Sequence, residues 1–450
     1  MRRRMSAPAP NPAPPRATPA AAVIVIGAGV CAALHVGKLA PAIGALQAAL
    51  DLTLLQAGFL LSTVQAAGMA LGVAFGAVAD GIGLRPSLLL GLVILALASA
   101  AGGAADGAAA LLALRALEGL GFLLVVLPAP GLVRQLVPPQ RVSLMLGVWG
   151  AYMPGATALA LLLGPVVIGA AGWRAWWWTL AVVTAAAALA VWRGVPGARA
   201  AEAPPDRPGA LRAADSADAA LPAPAVALAT GPARAASPVP EAVRRWAARL
   251  GETLGHPGPW LVATAFAMYS AQWLAVIGFL PTIYAEAGLP ATAAGVLTAG
   301  AAAVNIVGNL LAGRALHRGT RQPLLLAVGY IAMALAAALA FAGMPDGGAP
   351  PWLRYLAVLA FSMLGGLIPA TLFSLAVQLA PSPQTLSSTV GWMQQWSSLG
   401  QFAGPPLVAA VASAAGGWHW TGAVTAAFSL AGLGLAVLIA RRLAATAPAG

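Results

Sequence analysis

The sequence predicts an all-α polytopic membrane protein, with twelve transmembrane helices in two pseudo-symmetric six-helix bundles and both termini cytoplasmic. Three observations carry that prediction. The first is composition. Of 450 residues, 60% are hydrophobic and 8% are charged, whereas a soluble domain carries about 25% charged residues. The mean hydropathy is +0.84. So much apolar surface needs lipid as its solvent. The Ala-, Leu-, Val- and Gly-rich runs lack period-2 alternation, so helices rather than a barrel satisfy the backbone.

The second observation is the spacing of apolar runs of about 20 residues, the length that crosses a bilayer. They fall at 21–46, 55–79, 87–105, 108–134, 142–169 and 174–194, and again at 259–284, 291–313, 323–343, 352–380, 385–413 and 418–440. The third is the placement of charge. With the N-terminus inside, 20 of the 24 Lys and Arg fall on the cytoplasmic side, only Arg174 and Arg354 fall outside, and Lys38 and Arg115 lie within spans. That bias sets orientation. Losing one span would invert every later loop and destroy it.

Taken in order, residues 1–20 (MRRRMSAPAPNPAPPRATPA) read as a disordered cytoplasmic tail. The Pro-rich stretch separates the charges from the apolar run, so the first span is expected to be uncleaved. Residues 21–194 form the N-terminal bundle. Residues 195–257 form a cytoplasmic linker rich in Pro, Ala and scattered charge. Within it, PEAVRRWAARLGETLG places Val243, Trp246, Ala247, Leu250 and Leu254 on one helical face, with Arg244, Arg245 and Arg249 on its flanks. A short amphipathic helix near 240–254 is expected, lying on the inner membrane surface or solvated as a linker. Residues 258–440 form the C-terminal bundle, and 441–450 a second cytoplasmic tail.

The halves repeat. Gly58, Gly76 and Pro86 recur 237 residues later as Gly295, Gly313 and Pro323. Pro41-Ala-Ile43 answers Pro281-Thr-Ile283, Pro128-Ala129 answers Pro369-Ala370, Trp149 answers Trp392, and Gly172-Trp173 answers Gly417-Trp418. Two six-span units in tandem imply a parallel repeat with a binding site between the halves.

At this point the chain resembles the major facilitator superfamily over both halves. GAVADGIGLRP (76–86) is similar to that family's loop after span 2, and Arg115 in RALEGLG to its span-4 arginine motif. Pro128-Ala129 and GVWGAYMPG (147–155) look most like the branch of cyanate permeases and related carriers. There are departures. Gly81 stands where the family loop has Arg, His317 replaces the acid in the second copy, and Met153-Pro154-Gly155 reverses the Gly-Pro order of the antiporter motif. The resemblance implies the major facilitator fold and transport by alternating access. It also implies that Gly76, Asp80, Gly83 and Arg85, with Gly313 and Arg318, latch one arrangement of the halves. A plain turn with topology-setting charges is the blander reading.

Charges at membrane depth cost about 2.5–3.5 kcal/mol on insertion scales and face a cavity or a partner. His35 and Lys38 in span 1 and Arg115 and Glu118 in span 4 are therefore the candidate site in the first half. Lys38 with Arg115 makes an electropositive site for an anionic or carboxylate-bearing solute. His35 and Glu118 are the proton-coupling candidates. Lys38 snorkelling outward, and Arg115 merely pairing with Glu118, are the alternatives. The second half offers amides and aromatics: Tyr269, Gln272, Trp273, Asn305, Gln394, Gln395 and Trp396, faced by Trp149 and Tyr152 from span 5. Inter-helix hydrogen bonding is the alternative for these.

The single cysteine, Cys31, can form neither an intrachain disulfide nor a cysteine metal cluster. No HExxH, phosphate-binding loop or Ser/His/Asp spacing points to an enzyme or to a cofactor. The net charge of +12 is read as loop arginines and not as a nucleic-acid surface. The expected partners are a small-molecule solute, protons and the bilayer. The expected state is a monomeric carrier of the inner membrane, with an exporter working by proton antiport or a non-transporting sensor or scaffold as the other readings.

Overall fold

The structure, a computed structural model, describes residues 19–72, 83–196, 241–343 and 348–446. The N-terminal tail to residue 18, most of the central connection (197–240) and the loop 73–82, with Gly76 and Asp80, lie outside the described residues.

Helices α1 (Pro19–Gly37), α2 (Ile43–Leu50), α3 (Leu54–Thr63), α4 (Ala66–Gly72), α5 (Leu84–Gly102), α6 (Ala108–Val126), α7 (Ala129–Leu136), α8 (Pro139–Gly150) and α9 (Tyr152–Gly194) build the first half. Helix α10 (Glu241–Leu254) precedes the second half. That half comprises α11 (Pro257–Glu286), α12 (Ala291–His317), α13 (Gln322–Phe341), α14 (Pro351–Gly365), α15 (Leu367–Leu379), α16 (Leu386–Ala415) and α17 (Thr421–Thr446).

Among the described residues, nine helical segments are long and apolar enough to cross a membrane. They become ten if α3 and α4, bent by 46°, form one span. Two features separate this count from the twelve runs seen in the sequence. Helix α9 has 43 residues and holds two of the runs; Gly172, at φ 82° and ψ 167°, interrupts its helical geometry between them. Helix α16 has 30 residues, but its glutamines and serines make it less apolar than its neighbours. Helix breaks coincide with proline in several spans. Gly37 ends α1 ahead of Pro41, and Pro128 separates α6 from α7, as expected where proline removes a donor and disfavours helix before it.

Within the halves α1 packs on α9, α5 on α6, α11 on α16 and α13 on α17; the two halves meet where α3 lies on α16 and where α9 lies on α12. The repeated glycines sit at both crossings. A Cβ on Gly58 would stand 3.0 Å from the Pro406 backbone, and one on Gly295 would stand 2.5 Å from the Leu161 carbonyl oxygen and 2.8 Å from the Pro165 ring. Positions 237 residues apart thus perform one task, letting a helix of each half touch the backbone of the other.

Helix α10 lies against α11, α16 and the short turn Pro383–Thr385. Trp246, Leu250 and Leu254 are half-buried, whereas Arg244, Ala247 and Arg249 are exposed. The Trp260 indole donates to the Leu254 carbonyl at 2.9 Å and ties the helix end to α11.

Candidate functional site: a buried ion cluster and a neutral counterpart

Helix α1 stops one residue before Lys38. The Lys38 carbonyl, left without a continuing helix, accepts a hydrogen bond of 3.1 Å from the Trp176 indole, one of the side-chain substitutes a helix end requires. The Lys38 side chain does not snorkel. It is fully buried and turns into the first half. There its ammonium pairs with Glu118 Oε1, donates to Ser99 Oγ at 3.0 Å and lies 4.6 Å from the centre of the Trp177 ring.

Arg115 and Glu118 are one turn apart on α6 and share a face. The Arg115 Nη1 reaches Glu118 Oε2 at 2.5 Å and the His35 carbonyl at 2.7 Å, and its Nε donates to the Leu60 carbonyl at 3.2 Å. His35 completes the group, with Nε2 2.8 Å from Thr184 Oγ1 and Nδ1 3.4 Å from Lys38 Nζ and 3.6 Å from Glu118 Oε1. All four side chains are at most 1% exposed. Helices α1, α3, α5, α6 and α9 all contribute. Helix α6 comes close enough because residue 119 is glycine: a Cβ there would stand 2.2 Å from the Val64 carbonyl oxygen at the bend between α3 and α4.

The cluster holds two permanent cations against one carboxylate. Each cation keeps Glu118 as a partner, so the low-dielectric interior is tolerable. Both guanidinium and ammonium are spent on protein groups rather than open to a cavity. The Arg115 Nη2 is buried with no hydrogen-bond partner.

The second half carries a neutral network. Asn305 donates to the Tyr269 hydroxyl at 3.0 Å and to the Ser362 carbonyl at 2.8 Å, and its Oδ1 accepts from Asn309 at 3.0 Å. The Trp273 indole donates to Ser362 Oγ at 3.1 Å. Gln272 turns away from the first half, its Oε1 accepting from Ser429 Oγ on α17 at 3.0 Å. Gln394 and Gln395 are half-buried. Trp396 packs edge-on with Trp260 and Trp392, centroids 5.6 and 5.9 Å away. Trp149 and Tyr152 stack on each other at 4.5 Å, with Trp149 seated over Gly29 of α1. Among the described residues, no hydrogen bond or ion pair joins the ion cluster to this network.

Two seam residues escaped the sequence reading. Gln65, at the α3–α4 bend, donates to Gln401 Oε1 across the seam at 3.0 Å, and Ser398 reaches Gln65 at 3.5 Å. A lone amide inside an apolar run was the available signal. The loop residues are placed as follows. Gly83 has φ 94°, and Arg85 donates to the Trp192 carbonyl at 2.7 Å. Gly313 has nothing within 4 Å of its Cβ position, and Arg318 is exposed. Among the described residues there is no group of three or more His, Cys, Asp or Glu that could hold a metal ion.

Comparison with known proteins agrees with this architecture. Two crystal structures of a bacterial homologue of the human lysosomal transporter Spinster superpose on the chain. The inward-facing unoccupied form has a TM-score of 0.71 and covers 94% of this chain and 98% of that one. The inward-facing occupied form has a TM-score of 0.72, over 93% and 96%. Both are 15% identical, a likeness of fold. The tetracenomycin C resistance and export protein of Streptomyces glaucescens is 32% identical over 100 residues, which is 22% of this chain and 19% of that protein. The match therefore spans about a fifth of that relative. A family model matches residues 25–405. These residues hold both halves, the repeated seam and the ion cluster, and the chain belongs to the Major Facilitator Superfamily.

Proposed function

We propose that this protein is a secondary active transporter of the inner membrane that moves a small organic, anionic solute by alternating access coupled to protons. The observation that carries the reading is the enclosed His35–Lys38–Arg115–Glu118 cluster, two cations on one carboxylate in a half that otherwise has no buried charge among the described residues. Such a costly arrangement inside a membrane protein marks a proton or ion pathway. A proton arriving at Glu118, with His35 beside it, weakens the ties to Lys38 and Arg115 and frees α1 to shift against α6. The solute sits at the seam, oriented by Trp149 and Tyr152 on one side and by Tyr269, Asn305, Gln394, Gln395 and Trp396 on the other, with Gln272 and Trp273 bracing them. The surplus positive charge next to that seam favours an anion.

In this reading α9 is two spans divided at Gly172 and α16 is a span. The count is then twelve, with both termini cytoplasmic as the arginine bias requires. The loops that hold Gly76, Asp80, Gly83 and Arg85, and Gly313 and Arg318, latch the opposite arrangement of the halves. The protein works as a monomer and without a cofactor.

Transport into proteoliposomes tests the core of the proposal. Glu118→Gln is expected to abolish accumulation driven by a pH gradient while leaving solute exchange across the membrane. Gradient-driven accumulation at the wild-type rate would remove Glu118 from the coupling path. A second reading, export by proton antiport, draws on the 100-residue likeness to the tetracenomycin C export protein. It predicts that an inward pH gradient drives solute out of, rather than into, right-side-out vesicles.

A further inference from the structure

Gly295, Ile306 and Gly313 lie on one face of α12; Gly295 and Gly313 are 18 residues, about five turns, apart. This face meets α9, and the contact fades along it. A Cβ on Gly295 would stand 2.5 Å from the Leu161 carbonyl oxygen, the Cβ position of Gly155 is 3.9 Å from Ile306, and the Cβ position of Gly313 meets nothing within 4 Å. Burial falls in step, from buried Gly295 through half-buried Ile306 to exposed Gly313. The seam between the halves is therefore closed at one end of α12 and parted at the other.

At the parted end lies a groove of about 500 Å³ lined by Leu310, Gly313, Arg314, His317 and Arg318. Arg314, His317 and Arg318 are exposed and none makes an ion pair among the described residues. Leu310 continues an exposed apolar strip with Val307 and Leu311, 43–51% exposed, so the groove runs from cationic rim to bilayer-facing side chains. A helix C-terminus repels an anion, so the side chains must supply the attraction.

We propose that this groove binds the headgroup of an anionic phospholipid of the inner leaflet, its phosphate between Arg314 and Arg318 and its first acyl carbons on Leu310. Seated there, the lipid occupies the space that the end of α9 fills when the seam closes, and so favours the arrangement seen here. A soluble anion satisfies the cations but not the apolar strip, which decides for lipid.

The test uses the purified full-length protein and phosphatidylglycerol, with phosphatidylcholine as control, scored by native mass spectrometry and by thermal unfolding in mixed micelles. Wild type is expected to retain phosphatidylglycerol over phosphatidylcholine and to gain stability from it. Arg314→Gln/Arg318→Gln is expected to bind it roughly thirtyfold more weakly. Arg314→Lys/Arg318→Lys keeps the charge and is expected to recover most of the binding, which separates lost charge from a damaged fold. Gly313→Leu keeps every cation and fills the groove, so it is expected to lose the lipid as well. Retention of phosphatidylglycerol by Gly313→Leu at the wild-type level would show a diffuse basic surface and overturn the site. Equal stabilisation by inorganic phosphate alone would overturn the lipid assignment.

Discussion

The two halves descend from one repeat and solve the same packing problem with different chemistry. Both place a glycine at the seam, Gly58 and Gly295, and both press it on a proline-containing stretch of the other half. Inside, they diverge. At the position of Lys38 in the first half the second has Gly278, 240 residues on, whose Cβ position is 2.2 Å from a Leu61 methyl across the seam. The first half breaks its leading helix at Gly37 and turns a lysine inward. The second runs α11 unbroken through Pro281 to Glu286 and keeps only neutral hydrogen bonds. Symmetry therefore fixes the scaffold, and departure from it concentrates the expensive charge in one half.

Cutting into the ion cluster should break this contrast with the largest effect. Removing one partner of a buried pair leaves the other charge uncompensated, at a cost of about 3–5 kcal/mol. Glu118→Leu strands both Lys38 and Arg115 and should lower the thermal midpoint in detergent far more than any neutral substitution in the second half. The double variant Lys38→Met/Glu118→Gln leaves Arg115 with a neutral partner and should regain part of that loss. Equal midpoints for Glu118→Leu and wild type would mean that water already solvates the cluster, and the half-to-half difference would lose its energetic meaning.

The seam glycines sharpen the comparison with a smaller effect. Inserting side-chain volume into a close-packed contact costs about 1–3 kcal/mol. Gly295→Val meets a carbonyl at 2.5 Å and a proline ring at 2.8 Å, whereas Gly58→Val meets its neighbours at 3.0–3.1 Å. Both should slow transport, Gly295→Val more than Gly58→Val. The reverse order in a flux assay would show that the α3–α16 crossing, not the α9–α12 crossing, closes during the cycle.

How much of this was legible before the structure depends on what kind of signal each feature leaves. Helical, multi-pass character is written in composition. The seam glycines were visible as a pair at fixed spacing, although nothing local said which helix each would touch. Lys38, Arg115 and Glu118 stood out because a charge in an apolar run is costly. Their partnership was only half readable: Arg115 with Glu118 follows from spacing along one helix, but Lys38 with Glu118 needs the break after Gly37 and the close approach that Gly119 permits. Gln272 facing α17 was hidden because an amide has no periodicity to show which way it points. Gly76 and Asp80 lie outside the described residues, so the first latch loop stays a proposal.

The smallest expected effect lies in the neutral network, and it tests whether the contrast between the halves is one of energy or only of residue type. Polar contacts between membrane helices average about 0.6 kcal/mol and reach about 1.7 kcal/mol, because a freed amide finds another partner within the bundle. Asn305→Leu removes the bonds to Tyr269 and Ser362 and leaves Asn309 without its side-chain acceptor. Its thermal midpoint should fall by a fraction of that seen for Glu118→Leu. A double-mutant cycle with Tyr269→Phe isolates the single bond between them and should return a coupling below about 1 kcal/mol. Coupling as large as that between Lys38 and Glu118 would show that the second half stores as much polar energy as the first, and the division of labour argued from the charges would have to be abandoned.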